Sequence, residues 1–329
     1  MDTAQIVLVV MWVGITLYAL LGGADFGGGV WDLLAGREHA NRRLIEHAIG
    51  PVWEANHVWL IFVLVVLWTG FPPVFAAVMS TLYIPLTGAA LGIIFRGSAF
   101  VFRKVSTQWW QRRLFGAAFA ISSVFTPFFL GAVAGGIASG RVPRGLAAGN
   151  LLGSWLNPTS IYGGVLAVGV CAYLAAVYLC DDAVRAGLDP EGFRRRAIGS
   201  GIVVGLIAVA GIGVLRLDAP RLFTGLTHRA LPVVVASAVM GLASLGLLLA
   251  RRYLLVRLTA VLAVTAVMWG WPLAQYPVML PPSLTYQQAA AGPGVLLFLL
   301  IALGVGALLI LPSIGWLLLI QRRLPYDSH

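Results

Sequence analysis

The stretch Leu20-Leu21-Gly22-Gly23-Ala24-Asp25-Phe26-Gly27-Gly28-Gly29-Val30-Trp31 decides how this chain is read. It lies in an apolar run longer than the roughly 20 residues that cross a bilayer, yet it carries a carboxylate. A second stretch, Pro51-Val52-Trp53-Glu54-Ala55-Asn56-His57-Val58-Trp59-Leu60, repeats the exception with Glu54. A charged side chain at such depth costs roughly 2.5–3.5 kcal/mol on insertion scales, and residues of this kind face a bundle interior or a wet cavity on proton or ion paths. The glycines at 22, 23, 27, 28 and 29 thin the helix around Asp25. They have two readings: close approach of a neighbouring helix, or space for water beside the carboxylate.

Composition sets the class. Of 329 residues, 60% are hydrophobic and 10% charged, with a mean hydropathy of +0.91. A soluble domain carries about 25% charged residues, so the chain reads as an all-α polytopic membrane protein with one integral membrane domain over 1–329. Nine spans are expected, at about 5–34, 48–69, 74–95, 114–138, 161–180, 198–215, 231–250, 258–276 and 294–320. With Asp2 and no basic leader, the first run is expected to be a retained span rather than a cleaved signal. The net charge of +10 does not indicate nucleic acid, because the basic residues fall in short connections between spans. On one side are Arg37, Arg42, Arg43, Arg96, Arg103, Lys104, Arg112, Arg113, Arg185, Arg194, Arg195, Arg196, Arg251, Arg252, Arg257, Arg322 and Arg323; on the other are Arg141, Arg144, Arg216, Arg221 and Arg229. The positive-inside rule places the richer side in the cytoplasm, with the N-terminus outside and the C-terminus inside.

That orientation gives the two acids a depth. Helix 1 is expected to end near Leu34, roughly 13 Å beyond Asp25 at 1.5 Å per residue. Helix 2 has a good N-cap in Asn41, ahead of Glu54. Both carboxylates then lie in the cytoplasmic half on one hairpin, and they read as the only acids clearly inside spans. Pro51 bends helix 2 one turn before Glu54 and frees a backbone carbonyl. Trp53 and Trp59 flank Glu54 inside the span, as packing residues or as the lining of a path; Trp68, Trp269 and Trp271 fall at outer span ends, as an aromatic belt. His57, one turn past Glu54, reads first as a hydrogen-bonded core residue. One intramembrane His and dispersed Met residues are too few to ligate several haems. Cys171 and Cys180 are nine apart on one helix, too far for a disulfide, and read as small buried hydrophobes. Asn157 before Pro158 signals a helix start, and the uncharged, Pro-rich loop 276–286 is expected to lie as an ordered lid on the outer face. No metal motif, phosphate loop or catalytic triad appears.

Taken in order, several motifs resemble subunit II of the cytochrome bd-type quinol oxidases over nearly the whole chain. They are Gly23-Ala24-Asp25-Phe26-Gly27-Gly28-Gly29, Pro51-x-Trp53-Glu54-x-Asn56-x-Val58-Trp59-Leu60, Phe95-Arg96, Pro127 with Gly131, Gly149-Asn150…Leu156-Asn157-Pro158, and Pro277…Leu280-Pro281…Ser283-Leu284-Thr285. The resemblance implies two four-helix bundles plus a peripheral helix, and a heterodimer with a haem-bearing subunit I in a bacterial cell membrane, with small single-span accessory subunits as further partners. It implies that haems b and d sit on subunit I, that quinol is the substrate, and that this chain binds no haem, metal or nucleic acid, while contacting lipid and quinone. It implies a proton route from the cytoplasm through Asp25 and Glu54, lined or supported by Trp53, Asn56, His57, Trp59 and Arg96; Trp59 borders an O2 route in some members. This chain departs from the pattern at Glu54, where many members have Asp, and at His57, where others have Gln. It has no acid in Ala99-Phe100-Val101-Phe102, and Asp181-Asp182 stand where others have a basic residue.

Two other readings compete. A proton-coupled secondary transporter also needs intramembrane carboxylates, but carriers favour broken helices in paired repeats, whereas both acids here lie in one hairpin. A purely structural partner would only shield another subunit's cofactors. A reporter fused after residue 329 is expected to be active only on the cytoplasmic side; an externally accessible tail would show that the span count is wrong.

Overall fold

The computed structural model describes residues 2–34 and 56–323. Within them the chain is a helical bundle, with a two-stranded hairpin as its only sheet among the described residues. Helix α1 runs Thr3–Leu34, and the described part of α2 runs Asn56–Gly70. After these come α3 (Pro72–Thr81), α4 (Tyr83–Val105), α5 (Trp109–Ala138), α6 (Pro158–Arg185), α7 (Glu191–Asp218), α8 (Pro220–Thr227), α9 (Leu231–Leu249) and α10 (Tyr253–Gln275). Strands β1 (Val278–Leu280) and β2 (Leu284–Thr285), a short α11 (Tyr286–Ala289) and α12 (Pro293–Arg323) complete the chain. Among the described residues eight helices are long and apolar enough to cross a membrane, and nine if α2 and α3 count as one span bent by 119°.

The expected spans are matched by helices over the described residues, with only Asn56–Gly70 of the second described, and the third is corrected. The span placed at 74–95 is displaced: Pro72–Thr81 forms its own helix, and the membrane-length helix is Tyr83–Val105. The break has a local cause, since Pro72 and Pro73 open α3 and a proline is favoured in a first helical turn but not further in. Arg96, counted above as a loop cation, therefore lies inside α4. Asp32 lies inside α1, within the span expected at 5–34, and two later helices run further than hydropathy suggested, so that α6 includes Asp181 and Asp182 and α7 ends on Asp218. The expectation of only two intrahelical acids is corrected accordingly. Asn41, Pro51, Trp53 and Glu54 lie outside the described residues.

Helices α5 and α6 are central, with half or more of their apolar windows buried, whereas α7 and α9 present most of theirs outward. Helix α1 packs on α5 and α6, α4 on α5, and α6 on both α7 and α10. Glycine makes the closest of these approaches. A Cβ on Gly27 would collide with the main-chain oxygen of Cys171, and one on Gly23 or Gly29 would meet Leu174 or Ser123. Gly22 abuts Asn56. Gly22, Gly23, Gly27 and Gly29 thus serve close packing. Cys171 and Cys180 are buried free thiols.

The end of the bundle that carries the N-terminus is tied by polar contacts. Asn157 caps α6 by accepting from Ser160 N at 2.9 Å, as Asn-Pro suggested. Asp218, the last residue of α7, accepts from Thr159 N (3.0 Å) and Thr159 Oγ1 (2.6 Å), and from both terminal nitrogens of Arg141. The loop after α10 is ordered as expected: Val278 pairs with Thr285 and Leu280 with Leu284, and Thr285 with Gln288 forms a reciprocal cap on α11. Tyr286 donates to Asp2 Oδ2 at 3.2 Å. The hydrogen bond from Tyr276, then burial and the Asp2 carboxylate, raise the Tyr286 pKa above its ordinary value, so its hydroxyl stays a donor.

Gly27→Ala is expected to destabilise the protein by about 1–3 kcal/mol through overpacking. Gly205→Ala, where an added Cβ meets nothing, should be neutral or mildly stabilising, since alanine is the better helix former. Thermal unfolding of the two variants in detergent checks this; equal melting temperatures would contradict the packing account.

Candidate functional site

The site is built where α1, α4 and α5 meet. Asp25 is fully buried, and Arg96 reaches it from α4 with 1% of its surface exposed. Arg96 Nη1 donates to Asp25 Oδ2 at 2.9 Å, and Nη2 donates to the Asp25 main-chain oxygen at 2.8 Å while lying 2.7 Å from Oδ1. Arg96 Nε donates to Ser123 Oγ at 2.9 Å, and Ser123 in turn donates to Phe119 O at 2.7 Å. The rings of Phe26 and Phe119 stand 5.1 and 4.6 Å from the guanidinium carbon, so cation–π attraction takes part of the place of lost hydration. Every nitrogen of the guanidinium is engaged, which is the condition for a tolerable buried ion pair.

Sequence supplies each part locally. Gly29 lets α5 approach α1 at Ser123, and Gly92 lets α4 approach α5 at Thr126. Pro127 sits inside α5 and, lacking an N–H, leaves the Ser123 carbonyl without its usual helical donor. Trp31 pins α1 to α6 by donating to Ala172 O at 2.7 Å.

The predicted site residues fall into three groups. Asp25, Arg96, Asn56 and His57 come together: Asn56 is buried and, with His57, lies close enough to interact with the Asp25 carboxylate. Trp59 is one turn further along α2, half-buried and edge-on to Phe62 with centroids 5.6 Å apart. Glu54 and Trp53 lie outside the described residues. Sequence reading missed Ser123 and the partnership of Arg96. The signals were present: Arg96 is followed by the apolar Ala99-Phe100-Val101-Phe102, which continues the helix, and Ser122, Ser123 and Thr126 form a hydroxyl cluster in mid-span. An arginine was assigned to a loop because most arginines here belong there.

The fold and the site define a polytopic helical membrane protein that holds a sealed carboxylate–guanidinium pair among its first spans. The chain belongs to the cytochrome bd terminal oxidase subunit II family, whose sequence model matches residues 3–321. It is similar to cytochrome bd ubiquinol oxidase subunit 2 of Bacillus subtilis (strain 168), 31% identical over 172 residues that make up 52% of this chain and 50% of that protein. It is also similar to cytochrome bd-I ubiquinol oxidase subunit 2 of Escherichia coli (strain K12), 30% identical over 176 residues, 51% of this chain and 46% of that one. These matches span about half the length of the curated relatives. The structure of bd oxidase from Geobacillus thermodenitrificans contains a chain that superposes with a TM-score of 0.82 at 25% identity, covering 97% of this chain and 98% of that one.

Breaking the pair by Arg96→Leu leaves a buried carboxylate without a counter-charge and is expected to cost about 3–5 kcal/mol. The double variant Asp25→Asn/Arg96→Gln removes both charges and should recover much of that loss. Melting temperatures and yields of the single and double variants test it; equal losses would mean that the pair is not coupled.

Proposed function

We propose that the chain is subunit II of a cytochrome bd-type quinol oxidase, paired with a haem-bearing subunit I in a bacterial cell membrane. The observation that carries the reading is the family match over residues 3–321, joined by a structural likeness that covers 97% of the chain. Relatives named as ubiquinol oxidase subunits support quinol as the substrate class. In this reading the haems b and d belong to subunit I, where they supply quinol oxidation and O2 reduction to water, and the N-terminus is outside and the C-terminus cytoplasmic. The helices divide into two four-helix bundles and a peripheral helix, lipid and quinone contact the outward faces, and small single-span subunits are further partners. The carrier reading is not favoured by the family.

This chain stabilises its partner and carries a proton route from the cytoplasm in which Asp25 and Glu54 both take part. Hydrocarbon conducts no protons, so a route needs titratable groups or ordered water within hydrogen-bond reach. The two acids have different parts. Protonating Asp25 would strand the Arg96 guanidinium, with 2% side-chain exposure, at a cost of about 3–5 kcal/mol. Asp25 therefore acts as a fixed charge that orients Arg96, Asn56 and His57 around the route. Glu54 takes up and releases the proton, and Trp53 and Trp59 support the route.

Glu54→Gln keeps size and polarity and removes titration. It is expected to lower quinol-driven O2 consumption by at least about tenfold in the assembled oxidase with its haem spectrum intact, and Glu54→Asp should retain most of the rate. Full turnover in Glu54→Gln with intact haems would remove Glu54 from any obligatory route.

A further inference from the structure

The Asp25–Arg96 pair has a second rung below it. Asp32 follows Asp25 by seven residues on α1, and Arg103 follows Arg96 by seven on α4. Arg103 Nη1 donates to Asp32 Oδ2 at 2.6 Å. Because both residue numbers rise together from rung to rung, α1 and α4 run in the same direction, and two helical turns, roughly 10 Å, separate the rungs. Asp32 lies in the last turn of α1 and Arg103 in the last turn of α4, so the outer rung sits at the end of the bundle assigned above to the cytoplasm.

The rungs differ in their access to water. At the inner rung the arginine and aspartate side chains are 2% and 0% exposed; at the outer rung they are 17% and 6% exposed. A carboxylate paired with a sealed guanidinium cannot give up its charge without stranding the cation. A carboxylate whose guanidinium touches solvent can, because water takes over part of the cation's stabilisation. The two chemically identical pairs therefore suit different tasks: the inner is a fixed dipole and the outer an exchanger.

We infer that Asp32, held by Arg103, is the proton port through which the route reaches the aqueous phase. The inference rests on the proton-route reading above. A hydronium at the Arg103 edge gives its proton to an Asp32 carboxylate oxygen and becomes water, while Arg103 stays cationic against solvent. The neutral carboxyl then passes the proton to an ordered water on the inner side and returns to the carboxylate, which Arg103 re-engages. The interval between rungs exceeds hydrogen-bond reach, so water carries the proton onward along the route. Arg103 is a positioning residue here: it fixes the carboxylate at the edge.

The test uses the complete oxidase with Asp32→Asn, Asp32→Glu and the double variant Asp32→Leu/Arg103→Leu. Quinol-driven O2 consumption is measured in H2O and in D2O, with the haem spectrum as the check on assembly. Asp32→Asn is expected to slow turnover several-fold and to enlarge the solvent isotope effect with the spectrum unchanged. Asp32→Glu should restore most of the rate, and the double variant should be as slow as Asp32→Asn, because it also lacks the acid. A double variant with wild-type turnover overturns the inference, whether Asp32→Asn is slow or fails to assemble, since the rung would then be only a helix contact. Wild-type rate and isotope effect in Asp32→Asn beside a slow Glu54→Gln overturn the port and leave the route standing. Wild-type rates in both overturn the route itself.

Discussion

The first half of the molecule depends on one constraint: a guanidinium placed in a low-dielectric interior must have every nitrogen engaged. Arg96 meets it with a carboxylate, a main-chain carbonyl and a serine hydroxyl drawn from two other helices. Each partner demands a close approach, and glycine supplies it at Gly29 against Ser123 and at Gly92 one turn from Arg96. A larger residue at either position would push a helix outward and lengthen hydrogen bonds that have no water to replace them. The small-residue content of α1 and the charge on α4 are thus two sides of one requirement.

The second half is held differently. Helices α7 and α9 bury little of their apolar surface, and the ion pairs of this half lie at the bundle ends. Glu191 gathers Arg194, Arg195 and Arg251, and Asp181 gathers Arg185 and Arg257. Within the span, Tyr173 and Ser244 share a hydrogen bond that joins α6 to α9. Exposed ion pairs contribute little apiece, so these contacts fix where helices end and turn more than they hold the bundle together. The outward apolar faces suit contact with hydrocarbon, which needs shape and hydrophobicity but no register.

Much of this was legible in the sequence, for reasons that differ by feature. Hydropathy found the spans because a bilayer imposes a length. Asn157-Pro158 announced the start of α6 because capping and proline chemistry are local. The carboxylate at Asp25 stood out because its cost is local too. What was not legible is pairwise. Nothing in the sequence near Arg96 says that its partner lies 71 residues earlier, and a count of positive charges by loop necessarily sorted it with the others. The true ends of α6 and α7 were hidden by the same effect, because acids near a helix end lower the hydropathy that was used to find it. Ser123 was hidden because a hydroxyl in a helix ordinarily bonds back to its own backbone, as Ser123 also does.

The heptad spacing of the two Asp–Arg rungs has a mechanical meaning. Two parallel helices with one charge pair can slide past each other by a turn and re-form a similar contact with a neighbouring polar group. With pairs at matched intervals on both helices, a slip of one turn leaves both rungs unmated at once, and the next matching register lies two turns away. The ladder therefore acts as a vernier: it permits tilt and bending of α1 against α4 and forbids translation along their common axis. The outer rung thereby sets the depth of Asp25 along the bundle as well as its own.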